Sequence, residues 1–312
     1  MFKNLYFFIM SQLLVSVIIP NYCHARYLDQ RIQSVLVQTY QNFEIIILDD
    51  CSPDDGASRA VIEKYRSNPH VSHIVYNEVN SGSPFIQWEK GISLAHGELI
   101  WIAESDDACE PTLLEELVAR LDENPNASVA FCRTIAFDEG IFYGEIGPKN
   151  IKDGLIKGPE FIHDYMRSGC GIVNASSAVF RKSSIAGISN EYKTYRGSGD
   201  RLFWIEMAEQ GDVVFIDKQL NFFRTHTNNS TKNNGNIGVN QREDKLILDY
   251  LLSKRYISRK EYRICADIYV RVHIFEMVTD KKLKDELYKI WGYSKVDQWK
   301  LRISAWKKRI LG

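Results

Sequence analysis

Two short acidic clusters hold the residues of this chain best suited to chemistry. Asp49-Asp50 follows the apolar run 45–48, and Glu104-Ser-Asp-Asp107 follows the apolar run 99–103. Each run has the length and character of a buried strand, and in open α/β sheets the carboxyl ends of the strands are where ligands bind. The sequence contains neither G-x-x-x-x-G-K-[ST] nor a G-x-G-x-x-G after a strand, so a nucleotide bound here has its phosphates held mainly by a metal. Carboxylates suit that task, because Mg²⁺ and Mn²⁺ prefer oxygen ligands and keep positions open for phosphate oxygens. Neighbouring residues of an extended segment face opposite ways, so Asp106 and Asp107 can diverge, one towards a sugar hydroxyl and the other towards the metal. The competing structural role is a turn or helix cap: Asp49 and Asp50 precede Ser52 and Pro53, and Pro111 follows the second cluster.

The elements that must position these groups alternate short apolar runs with helical periodicity, the pattern of βα units around a mostly parallel sheet. Strands are predicted over 15–19, 44–48, 71–76, 98–103 and 128–132. Helices are predicted over 29–38 and 85–95, with another opening at Pro111. After Arg133 the regularity weakens. Residues 159–168 and 200–209 read as helices, and 176–181, 213–216 and 220–223 as extended segments. The stretch 227–240 holds six Asn and two Gly in 14 residues, too little apolar content to pack, and reads as a loop or linker. From Gln241 onward the pattern is charged and helical. Residues 281–312 carry ten Lys or Arg against three Asp or Glu. Trp299, Ile303, Trp306 and Ile310 share one face of this tail with lysines and an arginine to the sides, the pattern of a peripheral membrane contact.

The whole chain has 312 residues, with 39 Lys plus Arg against 40 Asp plus Glu. A balance so near neutral provides no field for a polyanion, which argues against nucleic acid as a partner. A hydrophobic content of 45% excludes general disorder. The six cysteines form no C-x-x-C pair and read as reduced thiols of a cytoplasmic protein. At the N-terminus Ser11 and Gln12 interrupt the apolar residues, leaving a run shorter than a spanning helix needs. Residues 1–10 are expected to be an extension ahead of the first strand, with Met10 an alternative start.

Five ordered motifs carry a family resemblance. Val15-Ser-Val-Ile-Ile-Pro-Asn-Tyr22, Ile47-Leu-Asp-Asp-Cys-Ser52, Asn80-Ser-Gly82, Gly91-Ile-Ser-Leu-Ala-His-Gly97 and Glu104-Ser-Asp-Asp107 resemble the successive motifs of family 2 glycosyltransferases, inverting enzymes of the GT-A fold. Gly197-Ser-Gly-Asp200 resembles the segment that supplies the base in that family, with Gly199 where an acidic residue is common. Phe223-Arg-Thr-His226 resembles a later block. The resemblance implies an α/β GT-A fold with a nucleotide-sugar-binding half over 11–133, an acceptor-binding half over 134–226, the Asn-rich loop over 227–240 and a helical basic region over 241–312. It further implies that Pro20, Asn21 and Tyr22 floor the nucleoside, and that Asp49 or Asp50 accepts the imide N–H of a uracil. Asn80 and Gly82 join the donor site, Asp106 touches the ribose, Asp107 binds Mg²⁺ or Mn²⁺ with His226 completing the shell, and Asp200 deprotonates the acceptor hydroxyl. The implied partners are a nucleoside diphosphate sugar and a saccharide or lipid-linked saccharide acceptor, at the inner face of the membrane. A sugar-phosphate nucleotidyltransferase would need a glycine-rich loop after the first strand, and 21–28 has no glycine. A catalytically silent relative would have lost Asp106, Asp107 or Asp200, and all three are present.

Overall fold

The computed structural model describes residues 13–226, 237–301 and 303. Strand β1 (Val15–Asn21) is buried along its whole length, as is β2 (Phe43–Asp49), its parallel neighbour. Burial on both faces explains why these strands read as near-continuous apolar runs rather than alternating ones. On its other side β1 pairs in parallel with β4 (Leu99–Ile102), and β2 pairs in parallel with β3 (Val71–Tyr76). The helices α1 (Ala25–Leu36), α2 (Ala57–Glu63), α3 (Pro84–Leu94) and α4 (Leu113–Glu123) connect and cover the strands. Leu28, Ile32 and Val35 of α1 and Leu114, Leu117 and Leu121 of α4 join Val17, Ile19, Ile45 and Ile47 in one core.

Two glycines of the motif 91–97 have packing roles. A Cβ at Gly91 would lie 2.3 Å from Cγ2 of Ile18, so only glycine lets α3 press on β1. At Gly97 a Cβ would meet the Leu14 carbonyl oxygen at 2.5 Å and the Ser16 nitrogen at 2.7 Å, where the chain crosses the start of β1 to enter β4. This motif builds the sheet rather than touching a ligand.

The expected α/β sheet with flanking helices is present, and its second half departs from a simple βα succession. The sheet order is β3-β2-β1-β4-β9-β6-β10-β5. Strand β5 (Ala108–Cys109) is short, and β6 (Ala127–Asp138) is much longer than the predicted 128–132. Strands β7 (Ile141–Ile146) and β8 (Gly154–Ile156) pair with β6 and β10, and β9 (Ala178–Arg181) enters antiparallel between β4 and β6. The extended segments predicted at 213–216 and 220–223 are one strand, β10 (Asp212–Arg224), whose register shifts between Ile216 and Asn221. That irregularity breaks the apolar pattern and hides its continuity.

By compactness the chain forms two units. One comprises the residues up to Gly158 with Ile172–Ile188 and Glu206–Thr225, and it contains the sheet. The other comprises Pro159–Gly171, Ser189–Ile205 and the residues from His226 onward. The stretch 134–226, expected as one half, therefore contributes to both. In the second unit the helices Val239–Ser253, Arg259–Tyr269 and Lys281–Ile290 follow one another. Val239 and Asn240, expected in the Asn-rich loop, begin a helix, and 227–236 lie outside the described residues. So do residues 1–12 and, from the predicted tail face, Trp306 and Ile310. Among the described residues no helix is long and apolar enough to cross a membrane.

Candidate active site

In the sheet-containing unit, the carboxyl ends of β1, β2 and β4 bring polar residues of the first, second, third and fifth motifs into one cluster. Pro20 and Asn21 end β1 opposite Leu48 and Asp49 of β2, and Tyr22 beyond them is exposed. Asn21 Nδ2 donates to Asp49 Oδ1 at 2.7 Å. Asp49 also accepts from the Ser52 amide (3.1 Å) and hydroxyl (2.7 Å), closing a tight turn after β2. Just past β1 and β2, Cys23 and Cys51 have φ of 59° and 58°. Left-handed backbone at non-glycine residues costs energy and collects at ligand-binding turns.

Asp50 has a different character. Its carboxylate accepts from Asn77 Nδ2 (2.6 Å), the Ser81 amide (2.9 Å) and hydroxyl (2.7 Å), Gln87 Nε2 (2.9 Å) and Asn80 Nδ2 (3.1 Å). A carboxylate offers about four lone-pair sites, so Asp50 is saturated and Asp49 keeps capacity to spare. Asn80 Oδ1 in turn accepts the Gly82 amide at 2.8 Å, and Gly82 takes φ +76°, which the turn requires. Asp50 thus anchors the 77–82 loop to the end of β2.

The 104–107 segment is a turn rather than a strand end, with the Asp107 amide bonded to the Glu104 carbonyl at 3.2 Å. The two aspartates do diverge. The Asp107 side chain is 1% exposed, and it accepts from Asn174 Nδ2 (2.9 Å), Ser176 Oγ (2.7 Å) and the Arg224 amide (3.0 Å). Arg31, fully buried over the Trp101 ring, brings Nη2 to 3.9 Å from Asp107. Asp107, to which the resemblance gives the metal, is thus enclosed, with three donors on its oxygens and a guanidinium nearby. Asp106 is the member of the pair that reaches the surface. Its Oδ1 lies 4.0 Å from His24 Nδ1, which is itself 2.9 Å from Ser105 Oγ. Beside it Glu104, accepting from Trp88 Nε1 at 3.0 Å, is pushed up to about 8 by burial and by the charges of Asp106 and Asp107. Burial and Asp106 likewise raise Asp107, to about 6, against the pull of Arg31.

Arg224 at the end of β10 ties this cluster together. Its Nε donates to the Asp106 carbonyl at 2.7 Å and Nη2 to Gln30 at 2.6 Å, with the guanidinium 4.6 Å and 4.3 Å from the ring centres of Tyr27 and Phe137. His226 follows two residues later along the chain.

In the second unit Asp200 lies in the first turn of the helix Gly199–Glu209 and is partly buried. Burial, reinforced by the charge of Asp244, pushes its carboxyl up to about 7. The segment ahead of it is held by one residue: Glu243 accepts the successive amides of Arg196 (2.8 Å), Gly197 (2.9 Å) and Ser198 (2.7 Å). Asp244 pairs with Arg201 at 2.8 Å, and Arg201 also donates to the Met166 carbonyl. His24, Arg224, Glu243 and Asp244 were not singled out from sequence. Only the position of Arg224, inside the block that ends at His226, carried a signal.

The chain is similar to known glycosyltransferases in sequence and in fold. The chain is 34% identical over 132 residues to the glycosyltransferase GlyG of Streptococcus pneumoniae, 42% of each chain. It is 36% identical over 103 residues to the putative teichuronic acid biosynthesis glycosyltransferase TuaG of Bacillus subtilis, 33% of this chain and 40% of that one. These matches span about two fifths of the relatives' length. An S. aureus TarS fragment superposes with a TM-score of 0.65 at 17% identity, covering 89% of this chain and 80% of that one. The mannosyltransferase PcManGT of Pyrobaculum calidifontis, in complex with GDP-Man and Mn²⁺, does so with a TM-score of 0.54 at 12% identity, covering 93% and 79%. These likenesses establish the fold. The model of Glycosyl transferase family 2 matches residues 16–185, which holds all the β1, β2 and β4 turn residues described above, and the chain belongs to that family.

Proposed function

We propose that the protein is an inverting glycosyltransferase that moves a sugar from a nucleoside diphosphate to an acceptor hydroxyl, in the assembly of a surface polysaccharide or related glycan. The observation that carries this reading is the convergence of Asp49, the Asp50-anchored 77–82 loop and Asp106 at the carboxyl ends of adjacent parallel strands. Asp49 has the spare acceptor capacity to take the imide N–H of a uracil, while Asp50 shapes the loop that carries Asn80 and Gly82. TarS has been crystallised in complex with UDP-GlcNAc, and that donor is the first one to try.

A divalent cation fits the residues present. Asp106 offers a carboxylate oxygen with His24 close by, which favours Asp106 over the enclosed Asp107 as the metal ligand. A mixed oxygen and nitrogen set favours Mn²⁺ over Mg²⁺. The ion's chemistry is to neutralise the charge that develops on the departing diphosphate. The chain's own residues do the rest. Asp49 orients the base, Arg31 and Arg224 hold the 104–107 turn rigid, and Asp200 accepts the acceptor hydroxyl's proton. A single carboxylate acting as base, with no covalent intermediate, suffices for inversion.

The pH dependence follows from Asp200. Only its carboxylate form can accept a proton, so turnover should rise with pH, level off above about 7, and fall roughly tenfold per unit below that. Proton NMR of donor cleavage with UDP-GlcNAc and Mn²⁺ tests the reading: the first-formed sugar should have the opposite anomeric configuration to the donor. Retention of configuration, or a flat pH profile, would remove Asp200 from the role of base.

Membrane contact is a separate part of the proposal. Residues 295–301 are helical and Trp299 is 63% exposed, in keeping with a tail that rests on an anionic surface. The full chain should co-sediment with anionic vesicles at low salt and release at high salt. Failure to co-sediment at low salt would discard the contact.

A further inference from the structure

At the amino ends of the strands, remote from the donor-site turns, three potential metal ligands converge. Glu44 is the second residue of β2, His73 lies in β3, and His96 sits between α3 and β4. One ligand atom from each lies within 4.8 Å of the other two. Glu44 Oε2 is 3.0 Å from His96 Nδ1, close to the spacing of two ligands on one small cation, and the His73 and His96 rings stack with centres 5.7 Å apart.

This arrangement depends on a sheet irregularity. Ile45 pairs with Val71 but Ile46 pairs with His73, so β3 carries one extra residue, Ser72, at this point. Without the bulge His73 would point to the face of Ile45. With it, His73 shares the face of Ile46 and of Glu44 two residues earlier. Bulges re-aim side chains in this way, and they are rare in parallel pairs. The Glu44 carboxylate is also fixed in place: Oε1 accepts from the Ser16 hydroxyl at 2.6 Å and the His96 amide at 2.7 Å, leaving Oε2 turned to the His96 ring. The carboxylate is buried while the His96 ring is exposed, so the opening for an ion is on the solvent side.

From these contacts we infer that Glu44, His73 and His96 form a second metal site, separate from the donor site and selective for a borderline transition metal such as Zn²⁺. Two imidazole nitrogens and one carboxylate oxygen suit Zn²⁺ rather than Mg²⁺, and three protein ligands leave a position for water. Glu44 and Asp49 lie at opposite ends of β2, five residues or roughly 16 Å apart, so this ion takes no part in the transfer chemistry. Its effect is to pin β2, β3 and the α3–β4 connection together at the sheet edge.

The test uses untagged full-length protein stripped with a chelator, titrated with Zn²⁺ by calorimetry and with Co²⁺ by visible absorption. Because His24 and Asp106 could also take zinc, the readout is the difference between the wild type and two surface variants, His73→Gln and His96→Gln. The wild type should bind one more equivalent than either variant, or bind it at least about tenfold more tightly, with a Co²⁺ spectrum of low coordination number that each variant loses. Zn²⁺ should also raise the wild-type unfolding temperature more than that of either variant. Both substitutions alter partly or fully exposed rings, and circular dichroism checks that they fold. Equal stoichiometry and affinity in all three proteins would overturn the site.

Discussion

Asp200→Asn should lower sugar transfer by about a hundredfold or more while leaving nucleotide-sugar binding nearly unchanged. The substitution keeps the size of the side chain and an oxygen to accept the Arg201 amide, now bonded at 2.8 Å, so the helix start survives. What it removes is the proton acceptor, and with it the rise in rate that centres near pH 7 in the wild type. A base acts in the transition state, so the loss falls on kcat, and donor affinity measured by calorimetry is the control. Loss of donor binding would move Asp200 into the nucleotide site. Near-normal turnover would return it to a helix-cap role.

The second large effect separates the two adjacent aspartates. Asp106→Asn should fold normally, lose the response to Mn²⁺ and drop in turnover by about two to three orders of magnitude, because stabilisation of the leaving diphosphate is lost. Asp107→Ala should fail in a different way. It strands the buried Arg31 guanidinium without its counter-charge and leaves Asn174 and Ser176 without their acceptor. Breaking a buried pair from one side costs about 3–5 kcal/mol, so urea unfolding should show a much lower midpoint. A stable Asp107→Ala protein that has lost only its metal response would put the ion back on Asp107.

Much of the donor half is legible in the sequence because its signals are local. Strands buried on both faces read as apolar runs, and the turns after them must hold Asp, Asn and Gly. Gly91 and Gly97 stand in a recognisable motif because Ile18 and the β1 backbone leave no room for a Cβ. What was hidden depends on contacts between distant segments. Asp107 looks identical to Asp106 until Asn174, Ser176, Arg224 and Arg31 close around it, and those partners come from three separate segments. Asp49 and Asp50 likewise differ only in the number of donors that the 77–87 region directs at one of them. The insertion of β9 between β4 and β6 has no local cue, since four residues of any buried strand read alike. The raised pKa of Asp200 arises from burial and from Asp244, which lies 44 positions along the chain.

The central claim is that this fold holds a nucleoside diphosphate through Asp49 and a divalent cation at Asp106. The most direct measurement is the unfolding temperature with UDP in four conditions: alone, with Mn²⁺, with EDTA, and with Mn²⁺ on Asp106→Asn. A bound ligand at a hundredfold excess over its Kd adds about 2.7 kcal/mol of stability. The account predicts a clear upward shift with UDP and Mn²⁺ together, little with EDTA, and little on Asp106→Asn. An unfolding temperature that UDP and Mn²⁺ leave unmoved in the wild type, or raise equally in Asp106→Asn, would contradict it.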